Sequence, residues 1–151
     1  DNIRYGKADA TDEEVRRAAE IAQAIDFISE MKDGFNSEIA QGGTNVSGGQ
    51  KQRLAIARAL VRRPEVYVFD DSFSALDFKT DARLRAGLKR ETAGATVLIV
   101  AQRVSTVMNA DRIVVLHEGR VVGIGTHREL LQSCQVYREI VASQLSEEEI
   151  A

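Results

Sequence analysis

Residues 46–77 read VSGGQKQRLAIARALVRRPEVYVFDDSFSALD, and this stretch decides the fold. Apolar residues recur at helical spacing through its first half, and the pattern ends before Pro64. A short apolar run, Val66–Phe69, follows the proline, as is typical of a buried strand in a parallel sheet. The stretch therefore predicts a helix followed by a buried parallel strand, and the strand ends on two carboxylates, Asp70 and Asp71.

The helix is expected to begin at a Ser-Gly-Gly-Gln sequence, residues 47–50, which we call the SGGQ loop. Ser47 stands at an N-cap position and Gln50 follows three residues later, so the pair predicts a capping box. Gly48 and Gly49 have no Cβ and allow a ligand to approach the backbone closely. Because the first turn of a helix carries unpaired N–H groups and partial positive charge, this site suits a phosphate oxygen. The alternative is an ordinary glycine-rich turn before a core helix.

The end of the strand is suited to a metal ion. A carboxylate at the end of a buried strand is costly unless it meets a cation or hydrogen-bond donors. Mg²⁺ held by one or two carboxylates and by phosphates is the usual partner, which makes Asp70 a candidate Mg²⁺ ligand. The alternative is that Asp70 and Asp71 only cap a surface turn. A third carboxylate, Asp77, ends the sequence Ser-Ala-Leu-Asp, residues 74–77, which we call the SALD turn.

In this order and spacing, the segments resemble the ATP-binding domain of ABC transporters. VSGGQKQR (46–53) looks like the signature motif of that family, VYVFDD (66–71) looks like its Walker B strand, and the SALD turn looks like its D-loop. FNSEIAQGG (35–43) looks like the segment of ABC exporters that contacts helices of the membrane domain. The resemblance extends from Asn2 to about Ser143.

The resemblance implies an α/β fold, namely a fragment of a P-loop NTPase (RecA-like) core with an ABC helical subdomain. Residues 1–46 would form the helical subdomain, 47–63 the signature helix and 64–151 the C-terminal part of the RecA-like ATPase core. The phosphate-cradling Walker A pattern, G-x-x-x-x-G-K-[ST], does not occur in the chain. We therefore expect that loop and its strand to precede Asp1, and we expect the isolated chain to bind ATP poorly and not to hydrolyse it.

The resemblance also implies a pair of ATPase domains that enclose two nucleotides. Each site takes its phosphate-binding loop and Walker B strand from one subunit and its signature motif from the other. Asp70 would hold Mg²⁺ in this subunit's own site. ATP bound by the partner subunit would contact the SGGQ loop, which consists of Ser47, Gly48, Gly49 and Gln50. The interface between the subunits would include the SALD turn, which consists of Ser74, Ala75, Leu76 and Asp77.

Two residues depart from the family pattern, and both belong to this subunit's own site. Asp71 stands where the family has a Glu that acts as general base, and its side chain is one methylene shorter. Gln102 stands where the family has a His that contacts the γ-phosphate, and an amide cannot become cationic. The signature, which serves the other site, is intact. We therefore predict a heterodimeric exporter in which this subunit carries the degenerate ATP site. A homodimer that tolerates these two residues is the alternative.

Composition and charge exclude other classes of protein. The chain has 151 residues, and its 20 basic and 23 acidic residues give a net charge of −3, which does not indicate binding to nucleic acid. No apolar run reaches membrane-spanning length. The resemblance to exporters therefore implies a transmembrane domain elsewhere on the same polypeptide, with this chain at the cytoplasmic face of the membrane. Cys134 is the single cysteine, which favours a reducing cytosol and a role as a small apolar residue in a helix.

Three other functions are alternatives. A soluble ABC ATPase of DNA repair or translation would show long coiled-coil heptads or tandem cassettes, and the sequence shows neither. A non-hydrolysing regulatory cassette fits the motifs, although the intact SGGQ loop favours participation in a partner's catalysis. A Mg²⁺-dependent phosphatase would need a second acidic strand end or a nucleophile motif.

The rest of the chain alternates helices with short strands, which predicts a parallel sheet. Capping boxes at Thr11 and Thr126 predict two further helix starts. The remaining predictions are a short helix at 24–31, a helix at 79–91 closed by Gly94, a strand at 96–101, a helix at 103–109, a hairpin of strands 113–116 and 121–124, a C-terminal helix that continues through Leu130, Tyr137 and Ile140, and a frayed acidic tail at 146–151.

Overall fold

A computed structural model describes residues 1–145, which form two compact units, one from Asp1 to Val100 and a second that begins at Ala101. The helices are α1 (Asp12–Ile21), α2 (Ile25–Glu30), α3 (Gly48–Val61), α4 (Phe78–Glu91), α5 (Val104–Val107), α6 (His127–Ser133) and α7 (Gln135–Gln144). The strands are β1 (Val66–Asp70), β2 (Thr96–Val100), β3 (Ile113–His117) and β4 (Arg120–Gly125). Short 3₁₀ turns cover Arg4–Gly6, Gly34–Asn36 and Gln41–Gly43.

The first unit is organised around the contact of α1 with α3. α1 begins at the predicted capping box, in which the Thr11 hydroxyl accepts from the Glu14 N–H and the Glu14 carboxylate accepts from the Thr11 N–H. Burial of a Leu or Ile side chain contributes about 1.5–3 kcal/mol, so this apolar contact holds α3 against α1. The buried residues of the two helices are Val15, Ala18 and Ala19 from α1 and Leu54, Ile56, Ala57, Leu60 and Val61 from α3.

β1 and β2 form a parallel pair with Val66 opposite Thr96, which confirms the predicted parallel sheet. Only one face of β1 is buried. Tyr67 and Phe69 are buried, whereas Val66 is 56% exposed and Val68 is 62% exposed. In the part of the chain that the structure describes, the predicted burial of the strand is therefore confirmed for one face only. Successive side chains of a strand point to opposite faces, and residues 1–145 cover one face of this strand.

Helix α4 agrees with the predicted helix at 79–91 and begins one residue earlier. Its end at Glu91 is as predicted, but Thr92 and not Gly94 is the residue that caps it. The Thr92 hydroxyl donates to the Leu88 carbonyl at 2.8 Å, and the Thr92 N–H donates to the same carbonyl at 2.8 Å. A threonine that bonds the preceding turn thus ends the helix before the glycine is reached.

The second unit contains the hairpin of β3 and β4, which pair antiparallel around Glu118 and Gly119 as predicted. Both turn residues have positive φ, of 49° and 74°. α5 is shorter than the predicted helix at 103–109. α6 begins at the predicted capping box of Thr126 and Glu129.

The prediction of a single C-terminal helix is wrong, because the helical conformation is interrupted at Cys134, between α6 and α7. Cys134 is buried, but its φ of −118° and ψ of 108° are extended, so it is not a helix residue. The break lets Leu130 of α6 and Tyr137 and Val141 of α7 reach the same apolar core. The predicted frayed tail, residues 146–151, lies outside the described residues. Among residues 1–145, the structure contains no helix with the length and apolarity that a bilayer crossing requires.

Candidate functional site

The SGGQ loop forms the start of α3, as predicted. The Ser47 hydroxyl accepts from the Gln50 N–H at 3.2 Å, and Gln50 Oε1 accepts from the Ser47 N–H at 2.9 Å, which completes the capping box. Ser47 and Gly48 are exposed. Helix geometry leaves the N–H groups of Gly48 and Gly49 without an intrahelical carbonyl. The loop is therefore an exposed helix start that offers donors to an anion.

The chain turns sharply where β1 ends. Asp70 is the last residue of the strand and is exposed. The Asp71 N–H donates to the Val100 carbonyl at 3.0 Å and so continues the pairing with β2 by one residue. Asp71 then adopts the left-handed region with φ of 47°, which Asp tolerates better than most L residues. Asp71 Oδ2 accepts from the Ser74 hydroxyl at 3.0 Å. The two carboxylates thus lie at the carboxyl end of the parallel pair.

The segment between β1 and α4 is anchored by two buried apolar residues, Phe73 and Leu76. The Phe73 ring lies 5.5 Å from the Phe69 ring, measured between centroids. The SALD turn otherwise faces outwards, since Ser74, Ala75 and Asp77 are exposed. A turn with a buried anchor and exposed polar groups is suited to contact with another molecule.

The SALD turn lies against the SGGQ loop. A Cβ at Gly49 would lie 2.9 Å from the Ala75 carbonyl oxygen, which is closer than real Cβ atoms come. A Cβ at Gly48 would lie 3.6 Å from the Ala75 Cβ, which is an ordinary contact. Packing against the SALD turn therefore requires glycine at position 49, which the sequence did not show. The predicted access of a ligand is a second reason for glycine there.

Two residues of α3 position this site, and the sequence analysis missed both. Gln52 hydrogen-bonds to Asp71 and to the SALD turn. Arg53 donates from Nη1 to the Gln23 carbonyl at 2.7 Å and from Nε to the Gly49 carbonyl at 3.3 Å. The available signal was their spacing, since Gly49, Gln52 and Arg53 lie three and four residues apart on one helix face.

Arg53 also lies over an aromatic ring. Its guanidinium carbon is 4.7 Å from the centroid of the Phe27 ring, a distance at which a cation–π interaction forms. Burial lowers the pKa of Arg53, and the nearby charges of Asp77 and Asp26 oppose that shift. Arg53 thus connects the first turn of α3 to the helical segment that precedes it.

Asp77 has a local role as well as its predicted place at an interface. It is the N-cap of α4, and its Oδ1 accepts from the Thr80 N–H at 2.9 Å. Hydrogen bonds from the Thr80 side chain and backbone hold the pKa of Asp77 below its ordinary value. The side chain is therefore an anion that caps the start of α4.

Gln102 belongs to the second unit, where it follows the end of β2 by two residues. Its side chain is exposed, and its carbonyl accepts from Gln144 Nε2 at 2.8 Å. The first unit thus brings together the SGGQ loop, Asp70, Asp71 and the SALD turn, while Gln102 is placed by contacts within the second unit.

The residues of the first unit fit the ligands that the sequence predicts. An exposed helix start with unpaired N–H groups fits a phosphate. Asp70 is an exposed carboxylate at the end of a strand. It fits Mg²⁺, which usually takes one or two carboxylates together with phosphate oxygens. Gly48 itself is exposed, so its backbone is accessible to a ligand.

Comparisons with known proteins agree with this geometry. The family model described as ABC transporter matches residues 3–74. Over 147 residues the chain is 48% identical to an uncharacterised ABC transporter ATP-binding protein of Mycobacterium tuberculosis, a match that spans 95% of this chain and 25% of that protein. Over 144 residues it is 48% identical to the human mitochondrial potassium channel ATP-binding subunit, over 95% of this chain and 20% of that protein.

A solved structure has the same fold. A bacterial Atm1-family ABC exporter with ATP bound superposes on the chain with a TM-score of 0.90 and 38% sequence identity, over 97% of this chain and 26% of that one. Residues 3–74 thus match the ABC transporter family, and nearly the whole chain is similar to one part of ABC transporter proteins. Its mixed α/β structure matches part of an ABC exporter, which confirms the predicted fold class. The chain spans about a quarter or less of the length of these relatives.

Proposed function

We propose that this part of an ABC transporter nucleotide-binding domain helps to bind and hydrolyse ATP and so powers transport by an exporter. The observation that carries the proposal is the exposed, capped start of α3, held against the SALD turn and the carboxyl end of β1. The proposal is also supported by the similarity to an exporter with ATP bound and to a subunit named for ATP binding.

The SGGQ loop would serve an ATP molecule held by a second ATPase subunit. The N–H groups of Gly48 and Gly49 would donate to the γ-phosphate, and Ser47 and Gln50 would hold the loop in shape through their capping box. Both capping side chains already bond to the loop backbone, so their main contribution is to keep the donors aligned. The side chains of the loop would thus hold its shape, while its exposed backbone N–H groups would bind the phosphate.

Asp70 would hold Mg²⁺ in this subunit's own site. When bound, the metal would neutralise charge that develops on the phosphates. Asp71 would occupy the general-base position, where a correctly placed base contributes roughly 10²–10⁴-fold. Its carboxylate is short and already accepts from the Ser74 hydroxyl, and a displacement on the order of 1 Å can cost about 10²-fold. Asp71 is therefore expected to be a weak base.

Gln102 would contact the γ-phosphate in the same site. A neutral amide makes a hydrogen bond about half as strong as a charged donor does. Because Asp71 and Gln102 both weaken this subunit's own site while the SGGQ loop is intact, we propose a heterodimer in which the partner subunit carries the stronger base. The alternative is a homodimer that works with both residues.

The remaining partners follow from the same proposal. A transmembrane domain, on the same polypeptide, would carry the substrate, and this domain would lie at the cytoplasmic face of the membrane. The segment 35–43 would contact helices of that domain. Residues 1–46, 47–63 and 64–151 would correspond to the helical subdomain, the signature helix and the C-terminal part of the ATPase core.

The proposal is tested by ATP hydrolysis in the full-length transporter, assembled with its partner. Ser47→Arg fills the exposed loop with a large side chain and should abolish turnover. Asp71→Ala should lower turnover only slightly, since the productive site lies elsewhere. Full turnover in Ser47→Arg would overturn the role of the SGGQ loop, and a strong loss in Asp71→Ala would overturn the degenerate-site assignment in favour of the homodimer.

A further inference from the structure

Gln52 is the residue through which α3 holds the segment that follows β1. Its Nε2 donates to the Asp71 carbonyl at 3.0 Å and to the Ser74 hydroxyl at 3.1 Å, and its Oε1 accepts from the Ala75 N–H at 3.0 Å. Its partners are 19, 22 and 23 residues further along the chain. Because both ends of the amide are engaged, the orientation of Gln52 is set, and the helix determines where the segment lies.

Ser74 extends this connection to the carboxylate at the end of β1. The Ser74 hydroxyl accepts from Gln52 and donates to Asp71 Oδ2 at 3.0 Å. Two hydrogen bonds therefore lead from the helix to the side chain that stands at the general-base position. Side-chain networks of this kind orient their members more firmly than single bonds do.

Gly49 provides a second contact between the same two segments. The backbone of Gly49 comes so close to the Ala75 carbonyl that a Cβ there would be only 2.9 Å from the oxygen. Gln52 and Gly49 lie three residues apart, on one face of α3, and both meet residues 71–75. A movement of the SGGQ loop would thus displace Ala75 and Asp71 together.

We propose that Gln52 is a positioning residue that joins the SGGQ loop to Asp71 and the SALD turn. Because of Gln52, the loop that serves the partner's nucleotide and the residues of this subunit's own site would move together. The inference rests on the proposed function, since it assigns a purpose to the loop and to Asp71. Gln52 itself would touch neither nucleotide nor metal. Its effect would pass through Ala75 to Gly49 of the SGGQ loop, and through Ser74 and the Asp71 backbone to the end of β1.

The chemistry of the side chain explains why glutamine is needed. A glutamate at position 52 would keep an acceptor for the Ala75 N–H but lose the donor to the Asp71 carbonyl. A leucine would keep the approximate size and lose both. The two substitutions therefore separate the size of the side chain from its hydrogen bonds.

Turnover in the full-length transporter with its partner tests the proposal. Gln52→Leu is expected to lower kcat about 10-fold to 100-fold, because Ala75 is released and the SGGQ loop that it supports is misplaced at the partner's productive site. The KM for ATP should change less than about twofold, because misplacement affects the reacting geometry more than binding. Gln52→Glu should lie between Gln52→Leu and the wild type. Gln132→Leu makes the same chemical change at an exposed position of α6 and should leave kcat unchanged.

Amide hydrogen exchange gives a readout that does not need ATP. The Ala75 N–H loses its acceptor in Gln52→Leu and retains one in Gln52→Glu. Exchange in residues 72–77 should therefore be faster in Gln52→Leu, with α7 unchanged, and the thermal unfolding of each variant shows whether it is folded.

The outcomes separate this inference from the proposed function. Wild-type kcat in folded Gln52→Leu, or unchanged exchange in residues 72–77, would overturn the positioning role even if Ser47→Arg is inactive. A loss of kcat that only follows a loss of folded protein would also overturn it. Unchanged turnover in Ser47→Arg would instead overturn the proposed function, and the positioning of Asp71 would still be decided by the two Gln52 variants.

Discussion

The contact between Gly49 and Ala75 makes a quantitative prediction, because a matched control lies at the preceding residue. Gly48→Ala adds a Cβ that meets the Ala75 Cβ at 3.6 Å, whereas Gly49→Ala adds one 2.9 Å from a backbone oxygen. Both glycines are in the first turn of α3, and neither requires a left-handed backbone. The two variants therefore differ mainly in this one contact.

The size of the effect follows from two opposing terms. Alanine is more favourable than glycine in a helix by up to about 1 kcal/mol, and both variants gain this term. Forcing an extra carbon into a packed site costs about 1–3 kcal/mol, and only Gly49→Ala carries this cost. Because the common term cancels, Gly49→Ala should be less stable than Gly48→Ala by about 1–3 kcal/mol.

The measurement is urea and thermal unfolding of the nucleotide-binding domain that contains this chain. In a domain of roughly 150–250 residues, a change of about 1 kcal/mol in the free energy of unfolding shifts the melting temperature by about 2–4 °C. Gly49→Ala should therefore melt about 2–12 °C below Gly48→Ala. Equal melting temperatures, or a higher one for Gly49→Ala, would show that the SGGQ loop and the SALD turn are not in contact. A double variant of Gly49→Ala with Ala75→Gly is the control for backbone relaxation, and it should not recover the loss, since the clash is with a carbonyl oxygen.

Three further predictions concern acid, the degenerate site and the isolated chain. Hydrogen bonds from Thr80 hold the pKa of Asp77 below its ordinary value, so its carboxylate adds stability above the unfolded-state pKa of ~4 and loses it as the pH falls through the lower native pKa. Unfolding measured between pH 7 and pH 2 should show this acid loss, and Asp77→Asn should show less of it. Asp71→Glu combined with Gln102→His should raise ATP turnover of the assembled transporter, and unchanged turnover would contradict the weak-base interpretation. The purified 151-residue chain should show no more ATPase activity than the same chain with Ser47→Arg. Measurable hydrolysis above that background would refute this expectation.

The local structure could be read from neighbouring residues. Capping boxes at Ser47, Thr11 and Thr126 are as predicted, because each is made by groups three residues apart. The hairpin around Glu118 follows from turn residues between two apolar runs. The parallel pairing of β1 with β2 follows from a helix between two such runs. In each case the interaction that decides the structure joins residues close in sequence, or it follows a general rule of how strands are connected.

The break at Cys134 and the exposed face of β1 depend instead on what packs against them. A helical pattern continues through Cys134, yet the chain bends there so that both flanking helices reach one core. An apolar run such as Val66–Phe69 looks alike whether one face or both are covered, and here Val68 is exposed. Periodicity shows which residues are apolar and does not show which neighbour is present.

The residues alone indicate a phosphate-suited helix start, an acidic strand end and a turn that follows it. That these three segments meet, and that Gln52 and Gly49 join them, is visible only in the folded chain. The contacts that join them lie far apart along the chain. Gln52 finds its partners 19 to 23 residues away, and a side-chain amide offers the same donor and acceptor to every neighbour until folding selects one set.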